Sequence, residues 1–357
     1  MNWGAIEFYV ATVLVIFGVD VLAAWALNLQ FGFAGVPNFG FIVFQAAGAY
    51  VASVVTLGPS TPTGYQRYVF GANLPFPVPL VLAAAAGAAL AAVIGLFAVR
   101  RMRVDYQAAI LLIVSLIIAQ VVTADVPLFN GSLGVTGIQK PLSGLLDVSL
   151  KAYEWIFAGF VWALALVVFS LVRRLSRSGW GRALRAQRDH ENAAATIGLN
   201  GTTLRMQVFV LGGAIAGLSG GLLVEYLGAW SPASWGYAET FAIFVSVIVG
   251  GVGNNWGVII GTFLVQIVFQ EVPQLLPQIG YIGLVDSLEW VIVGVLWLLC
   301  LAYRPKGLIP ERRLRAPRPF DRPVRTGRPL ANGLSPGPAL EQSRAAGTAE
   351  ATVGGER

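Results

Sequence analysis

Residues 78–99 read VPLVLAAAAGAALAAVIGLFAV, an apolar stretch without a charged side chain that ends at Arg100 and Arg101. As an α-helix this stretch would be about 33 Å long, enough to cross a hydrocarbon core of roughly 30 Å. The whole chain has this character, since 56% of its 357 residues are hydrophobic, 12% are charged and the mean hydropathy is +0.70. Soluble domains carry about 25% charged residues. The sequence therefore predicts an all-α, polytopic integral membrane protein.

Apolar stretches of this kind recur along most of the chain and predict about nine transmembrane helices, within a range of eight to ten. They lie near residues 5–29, 40–57, 78–99, 107–124, 153–172, 206–229, 238–252, 256–272 and 285–303. Residues 1–310 are thus predicted to form a transmembrane domain. Residues 311–357 are rich in Arg, Pro, Gly and Ala, which predicts a disordered basic tail and makes anionic membrane lipid a candidate partner.

The basic residues are distributed unevenly among the predicted loops. With nine spans and an external N-terminus, all but three of the 24 Lys and Arg residues fall within 100–106, within 173–205 or after residue 303. Lys and Arg concentrate in cytoplasmic loops of membrane proteins. The distribution therefore predicts an external N-terminus and a cytoplasmic C-terminus. The exceptions are Arg67, Lys140 and Lys151.

Several kinds of chemistry lack the residues they need. Cys300 is the only cysteine and His190 the only histidine, which excludes intrachain disulfides and metal sites built on Cys and His. The sequence has no cluster of nucleophile, base and metal ligand, so we expect no catalytic residues, no metal and no cofactor, and a membrane-embedded enzyme is the weakest of the classes considered. It also has no Gly-x4-Gly-Lys-Ser/Thr loop, so ATP would have to be bound by partner subunits. No nucleic-acid partner is expected.

Four acidic residues lie in or near predicted spans and keep a different class of protein open. Charged side chains within membrane spans often relay protons or coordinate ions. Asp20 is the deepest in its span, and no basic partner is evident in any span. An ion-coupled secondary transporter is therefore the alternative to a pump-driven subunit. The four residues are Asp20, Glu225, Glu239 and Glu289.

The longest predicted cytoplasmic loop, residues 173–205, reads RRLSRSGWGRALRAQRDHENAAATIGLNGTTLR. Its composition predicts a helix from Gly181 to Ile197 that ends at Gly198, a residue type that commonly terminates helices. A helix that lies on a membrane surface needs bulky apolar residues on one face. This helix offers mainly alanine, so the pattern favours docking into a groove of a partner protein.

Four stretches, in the same order along the chain, resemble the branched-chain amino acid permeases of bacterial ABC importers. The resemblance covers residues 5–311 in pattern, and it implies a permease subunit in a bacterial or archaeal cell membrane. It also implies three kinds of partner: a sister permease subunit in a heterodimer, two ABC ATPase subunits and an extracytoplasmic solute-binding protein. The stretches are LNLQFGFAGVPNFGFIVFQAAGAY (27–50), RALRAQRDHENAAATIGLNGTTLRMQVFVLGGAIAGLSGGLL (182–223), GGVGNNWGVIIGTFL (250–264) and YRPKGLIPE (303–311).

The same resemblance implies an ATPase-coupling role for the loop and a substrate class. In this family the loop is the counterpart of a Glu-Ala-Ala-x3-Gly motif, and alignment on Gly198 places its alanines at Ala193 and Ala194. Glu191 lies one residue before the acidic position, and Arg185 completes the implied coupling set. The implied cargo is branched-chain or related hydrophobic amino acids; urea and short amides remain open because related permeases share the scaffold.

Residues 28–45 combine polar side chains with helix breakers at membrane depth, which is tolerated where the backbone lines a cavity or is covered by protein. This stretch is therefore a candidate translocation pathway; a short cytoplasmic turn between two spans explains the same residues. The candidate pathway residues are Asn28, Gln30, Asn38 and Gln45.

Glycines repeat at four-residue intervals in two later spans. Such a spacing predicts a flat face on which helix backbones approach closely, either as static packing or as a sliding surface. The predicted helix-packing residues are Gly213, Gly217 and Gly221 in one span and Gly253, Gly257 and Gly261 in the other.

Overall fold

A computed structural model describes residues 3–59, 66–141, 149–271 and 284–311, and the described part is predominantly helical. The longer helices are α1 (Trp3–Leu27), α2 (Ile42–Thr56), α3 (Val78–Arg101), α4 (Val104–Ala124), α6 (Leu150–Arg177), α9 (Gly201–Leu227), α10 (Tyr237–Gly250) and α12 (Leu284–Tyr303). The shorter ones are α5 (Val126–Phe129), α7 (Gly179–Asp189), α8 (Glu191–Thr196) and α11 (Asn255–Thr262). Two helices continue as π-helix, α1 over Asn28–Phe33 and α11 over Phe263–Glu271.

The helices confirm the prediction of an all-α polytopic membrane protein. Within the described ranges, six helices are long and apolar enough to cross a membrane: α1 with its π-helical extension, α3, α4, α6, α9 and α10. Three shorter apolar helices lie at Ile42–Thr56, Asn255–Phe269 and Val291–Tyr303. Each of the predicted apolar stretches coincides with one of these helices. The predicted tail lies outside the described residues from Arg312 onward, so its disorder stays a prediction.

Helix α9 is the centre of the bundle and packs against α1, α2 and α3. Glycines make this possible, because a Cβ at Gly217 would meet the backbone carbonyl of Ala83 on α3, and one at Gly48 on α2 would meet the carbonyl of Gly217. A Cβ at Gly221 would lie 2.7 Å from the Cβ of Ala83. The structure thus places Gly213, Gly217 and Gly221 where helix backbones touch.

The second glycine series differs from its prediction at its first member. Gly257 and Gly261 lie on α11 and face α10, where an added Cβ would meet the backbone carbonyls of Gly250 and Ser246. Gly253 precedes α11 and has φ of +79°, a left-handed conformation that suits glycine in a turn. The expected three-glycine helix face therefore consists of two glycines, and the third belongs to the connection between α10 and α11.

The bundle has two distinct ends. The loop end carries α7 and α8, which connect α6 to α9. The far end carries a two-stranded antiparallel sheet, β1 (Val135–Thr136) and β2 (Ala229–Trp230). A hydrogen bond from the Ile138 N–H to the Gly228 carbonyl (3.1 Å) continues this pairing. The sheet fixes the segment that precedes α6 onto the connection between α9 and α10.

Candidate functional site

The loop between α6 and α9 folds as two short helices. The Ser178 hydroxyl caps the start of α7 by accepting from the Gly181 N–H at 3.5 Å. The backbone leaves the helical region at His190 (φ −149°, ψ 86°), and α8 follows directly. The single helix predicted from Gly181 to Ile197 is therefore interrupted at His190. Its end at Gly198 is as expected, since that residue has φ of +83°.

The two alanines of the implied coupling motif face in different directions. Ala194 is 2% exposed and packs inward, and α8 lies against α9. Ala193 and Ala195 are exposed, and Ile197 is 74% exposed at the end of α8. The surface available to another protein therefore contains Ala193 but excludes Ala194, whose small side chain lets α8 sit close to its own subunit.

Glu191 attaches α8 to the base of α9. Its Oε2 accepts from a guanidinium nitrogen of Arg205 at 2.7 Å. The Arg205 side chain is 10% exposed and that of Glu191 is 56% exposed, so the ion pair joins a largely buried cation to an exposed carboxylate. Such a charge-assisted bond fixes the orientation of a short helix that is too short to be stable by itself. The sequence prediction that Glu191 belongs to the coupling set stays a prediction, and the structure gives this residue an intramolecular partner.

Helix α7 is fastened to two other segments by a group that we call the loop clamp: Arg185, Arg188 and Glu311. Arg188 donates to Oε2 of Glu311 at 2.8 Å and to the backbone carbonyl of Gly32. Arg185 lies 3.6 Å from Oε1 of Glu311 and donates to the Ser176 carbonyl at 3.1 Å. Although burial opposes its charge, hydrogen bonds to Asp189 and Glu311 raise the pKa of Arg188. The clamp joins the loop to the π-helical end of α1.

The segment that carries Glu311 is itself held against α10. The Leu308 N–H donates to the Val249 carbonyl at 2.8 Å, and the Ile309 N–H donates to the Gly250 carbonyl at 3.0 Å. The Asn254 amide donates to the Ile309 carbonyl at 3.2 Å. Through these bonds a movement of the loop would be passed to the connection between α10 and α11.

The same connection is bonded back to α1. The Asn28 side chain accepts from the Gly253 N–H at 2.9 Å and donates to the Asn255 side chain at 3.1 Å. The Trp25 indole donates to the Asn255 carbonyl at 3.0 Å. The loop clamp, the 250–255 turn and the π-helical end of α1 thus form one continuous polar network.

The four candidate pathway residues lie in the interior of the subunit. Asn28, Gln30 and Asn38 are 0% exposed and Gln45 is 3% exposed. Gln30 donates to the Phe209 carbonyl on α9 at 3.0 Å and accepts from Asn38 at 2.7 Å. The chain leaves the helix after Phe33 and re-enters one at Ile42, which matches the alternative of a turn between two spans. A role in translocation stays a prediction.

The acidic residues behind the ion-coupling alternative occupy separate places. Asp20 is half-buried on α1, Glu225 is buried near the end of α9, and Glu239 lies in the first turn of α10. The side chain of Glu289 lies outside the described residues. Over the ranges that the structure describes, no three His, Cys, Asp or Glu side chains are grouped as a metal site would require.

Sequence reasoning named Arg185 but missed its clamp partners, Arg188 and Glu311, and the role of Asn255. Glu311 and Asn255 both lie in motifs that carry the family resemblance, YRPKGLIPE and GGVGNNWG, which is the signal that could have drawn attention to them. Their partners are distant along the chain, since Arg188 and Glu311 are 123 residues apart and Asn28 and Asn255 are 227 apart. No rule of sequence spacing predicts such a pairing.

The bundle and its folded loop define a multi-pass integral membrane protein with a structured element outside the spans. Comparison with known families makes the class specific. The family described as the permease component of branched-chain amino acid transport systems matches residues 9–301, and the chain belongs to this family. This confirms the resemblance seen in the four sequence stretches.

Individual relatives that align with most of this chain are named as transport permeases. A probable branched-chain amino acid transport permease protein LivM of Methanocaldococcus jannaschii is 29% identical over 86% of this chain and 95% of its own. The high-affinity branched-chain amino acid transport system permease protein LivM of Escherichia coli is 28% identical over 85% of this chain and 70% of its own. A probable LivH permease of M. jannaschii is 28% identical over 69% of this chain and 75% of its own. No solved structure matches the chain.

Proposed function

We propose that this chain is the transmembrane permease subunit of an ABC importer for branched-chain or related hydrophobic amino acids. An extracytoplasmic binding protein delivers the amino acid, and two separate ATPase subunits bind and hydrolyse ATP. The chain resembles relatives named LivM and others named LivH. A heterodimer with a sister permease accounts for this double likeness. The loop end faces the cytoplasm in this proposal, and the N-terminus lies outside.

The observation that carries the proposal is the fastening of the loop to the rest of the bundle. A loop that only connected two helices would need no ion pairs to distant segments. Here the loop clamp ties α7 to the end of α1 and to the segment that carries Glu311, while Glu191 ties α8 to α9. A displacement imposed on α7 and α8 by a partner would therefore move α1, α9 and the 250–255 turn together.

The exposed side of α8 is the surface that we assign to the ATPase. Ala193 and Ala195 let a groove approach closely, and Ile197 offers an exposed apolar side chain of the kind that is buried at interface centres. Ala194 lies on the buried side of α8, opposite this surface. A bulky residue at Ala194 would disrupt the packing of α8 on its own subunit, so position 193 is the better test of docking.

The proposal is tested by uptake of labelled leucine into vesicles that contain the complete importer and binding protein. We expect uptake to require an active ATPase, and an importer with a hydrolysis-defective ATPase should accumulate nothing. Asp20→Asn should leave uptake in place, because no ion is carried through that residue. Uptake that persists without ATP hydrolysis and is lost in Asp20→Asn would favour the ion-coupled alternative. Competition by excess urea or acetamide separates amino acids from short amides as cargo.

A further inference from the structure

A second group of charged and aromatic side chains lies at the far end of the bundle, away from the loop. The Lys140 Nζ is 3.2 Å from Oε1 of Glu154 and stands over the rings of Tyr153 and Tyr226, 5.4 and 5.7 Å from their centroids. Glu225 precedes Tyr226 on α9 and lies within electrostatic range of the Tyr153 hydroxyl. We call Lys140, Tyr153, Glu154, Glu225 and Tyr226 the far-end cluster.

Rigid elements position this cluster. Tyr153 and Glu154 lie near the start of α6, and Glu225 and Tyr226 near the end of α9. The pairing of β1 with β2 brings the segment that carries Lys140 to the same place. Phe157, one turn further along α6, stacks on the Tyr226 ring with centroids 5.5 Å apart. The aromatic walls are therefore held by packing and do not depend on Lys140.

The Lys140 ammonium and the Tyr226 hydroxyl both bond to Glu154, and together they do not satisfy all the buried acceptor groups of the cluster. Glu154 and Glu225 are each 1% exposed. Within the described part of the chain, Oε2 of Glu154, Oε2 of Glu225 and the Tyr153 hydroxyl have no hydrogen-bond partner. Buried polar groups without partners are costly, and their retention at one place indicates a site that something else completes. Lys140, whose side chain is 36% exposed, forms the accessible edge of this site.

A carboxylate flanked by aromatic faces is a recognised arrangement for binding organic ammonium ions. We propose that the far-end cluster is a subsite for the ammonium group of an amino acid, and that the Lys140 ammonium is an internal occupant that the substrate displaces. The displaced Lys140 then pairs with the carboxylate of the same amino acid. The exchange conserves charge, because a zwitterion brings one positive and one negative group. This inference rests on the proposed function, since it names where the amino acid meets this subunit.

The competing explanation is that the Lys140–Glu154 pair only ties the segment after β1 to α6. The two explanations differ in what the removal of Lys140 does to a free amine. If Lys140 is only a tie, its removal weakens the structure and leaves amine binding unchanged. If Lys140 occupies an ammonium site, its removal frees that site, and an added amine binds more tightly.

The experiment measures binding of isopentylamine, the decarboxylated form of leucine, to the purified transporter complex without binding protein, by saturation-transfer NMR. We expect Lys140→Met to bind the amine about tenfold more tightly than wild type, the scale of one charged hydrogen bond. Lys140→Met/Glu154→Gln should lose this gain and fall below wild type. Isocaproate, which lacks the ammonium group, should gain nothing from Lys140→Met. Lys151→Met changes an exposed lysine on α6, the helix that carries Glu154, and is the matched control.

Equal amine affinity in wild type, Lys140→Met and the double variant would overturn the subsite. If Lys140→Met does not fold, Glu154→Gln alone tests the proposal. We expect this variant to bind the amine about tenfold more weakly than wild type. Unchanged amine binding in Glu154→Gln would overturn the proposal. Amine binding needs no ATP, so this outcome is separate from the proposed function. If the importer transports with ATP but neither Lys140→Met nor Glu154→Gln changes amine binding, only the proposed subsite is refuted. If transport needs no ATP, the proposed function is refuted.

Discussion

Glu311→Gln removes the central charge of the loop clamp without changing the size of the side chain. In the structure Glu311 receives a 2.8 Å bond from Arg188 and lies 3.6 Å from Arg185, and the side chains of these residues are 19% to 21% exposed. A hydrogen bond to a charged group contributes roughly 1.5–3 kcal/mol, and partial exposure and the neutral bond that Gln retains reduce the loss. We expect the clamp to weaken by about 1–2 kcal/mol, a factor of about 5–30 in the ratio of its closed to its open state.

The assay is the ratio of amino acid taken up to ATP hydrolysed by the complete importer in vesicles. Because the change lies between the loop and the bundle, we expect hydrolysis to continue while uptake falls, so that the ratio drops several-fold. Asp189→Asn is the matched control: Asp189 also bonds Arg188, at 2.9 Å, but its side chain is 57% exposed. If Glu311→Gln keeps the wild-type ratio, the clamp does not transmit the movement of the loop.

Four further predictions follow from other contacts. Gly217→Val should lower the thermal midpoint of the solubilised protein, since overpacking costs about 1–3 kcal/mol. Gly159→Val is the control and should leave the midpoint unchanged, because an added Cβ there meets nothing within 4 Å. Equal midpoints in the two variants would refute the close α3–α9 contact. Asn28→Ala leaves the Gly253 N–H and Asn255 without their partner and should also lower that midpoint, by a loss of about 1–3 kcal/mol; an unchanged midpoint would contradict the network. Ala193→Trp should abolish uptake while membrane insertion, followed by fractionation, stays normal; normal uptake would exclude docking there. Deletion of residues 315–357 should leave uptake nearly unchanged, and a severe defect would give the tail a role.

The positions of the helices were predictable because hydropathy is a strong local signal. A membrane helix satisfies its backbone internally, so an apolar stretch of sufficient length has few alternatives. The break after α1 was also foreseeable, since Gly32, Gly35 and Pro37 follow polar residues there. The structure adds that the break is π-helical over Asn28–Phe33 and that its polar side chains bond within the subunit.

The details of the loop depend on contacts that sequence alone does not show. Ala193 and Ala194 look alike in the sequence, yet one is exposed and the other is buried. Neighbouring residues on a helix point about 100° apart, and the positions of the elements that pack on α8, namely α7 and α9, decide which is buried. The interruption at His190 and the pairing of Arg188 with Glu311 likewise depend on where distant segments pack.

The central claim is that the energy for transport enters this subunit through the loop from a partner. The most direct test compares two sets of lipid vesicles, one with the complete importer and the other with this chain alone. We predict ATP-dependent accumulation of leucine in the first and none in the second, even with a proton or sodium gradient imposed. Gradient-driven accumulation by the chain alone would contradict the account.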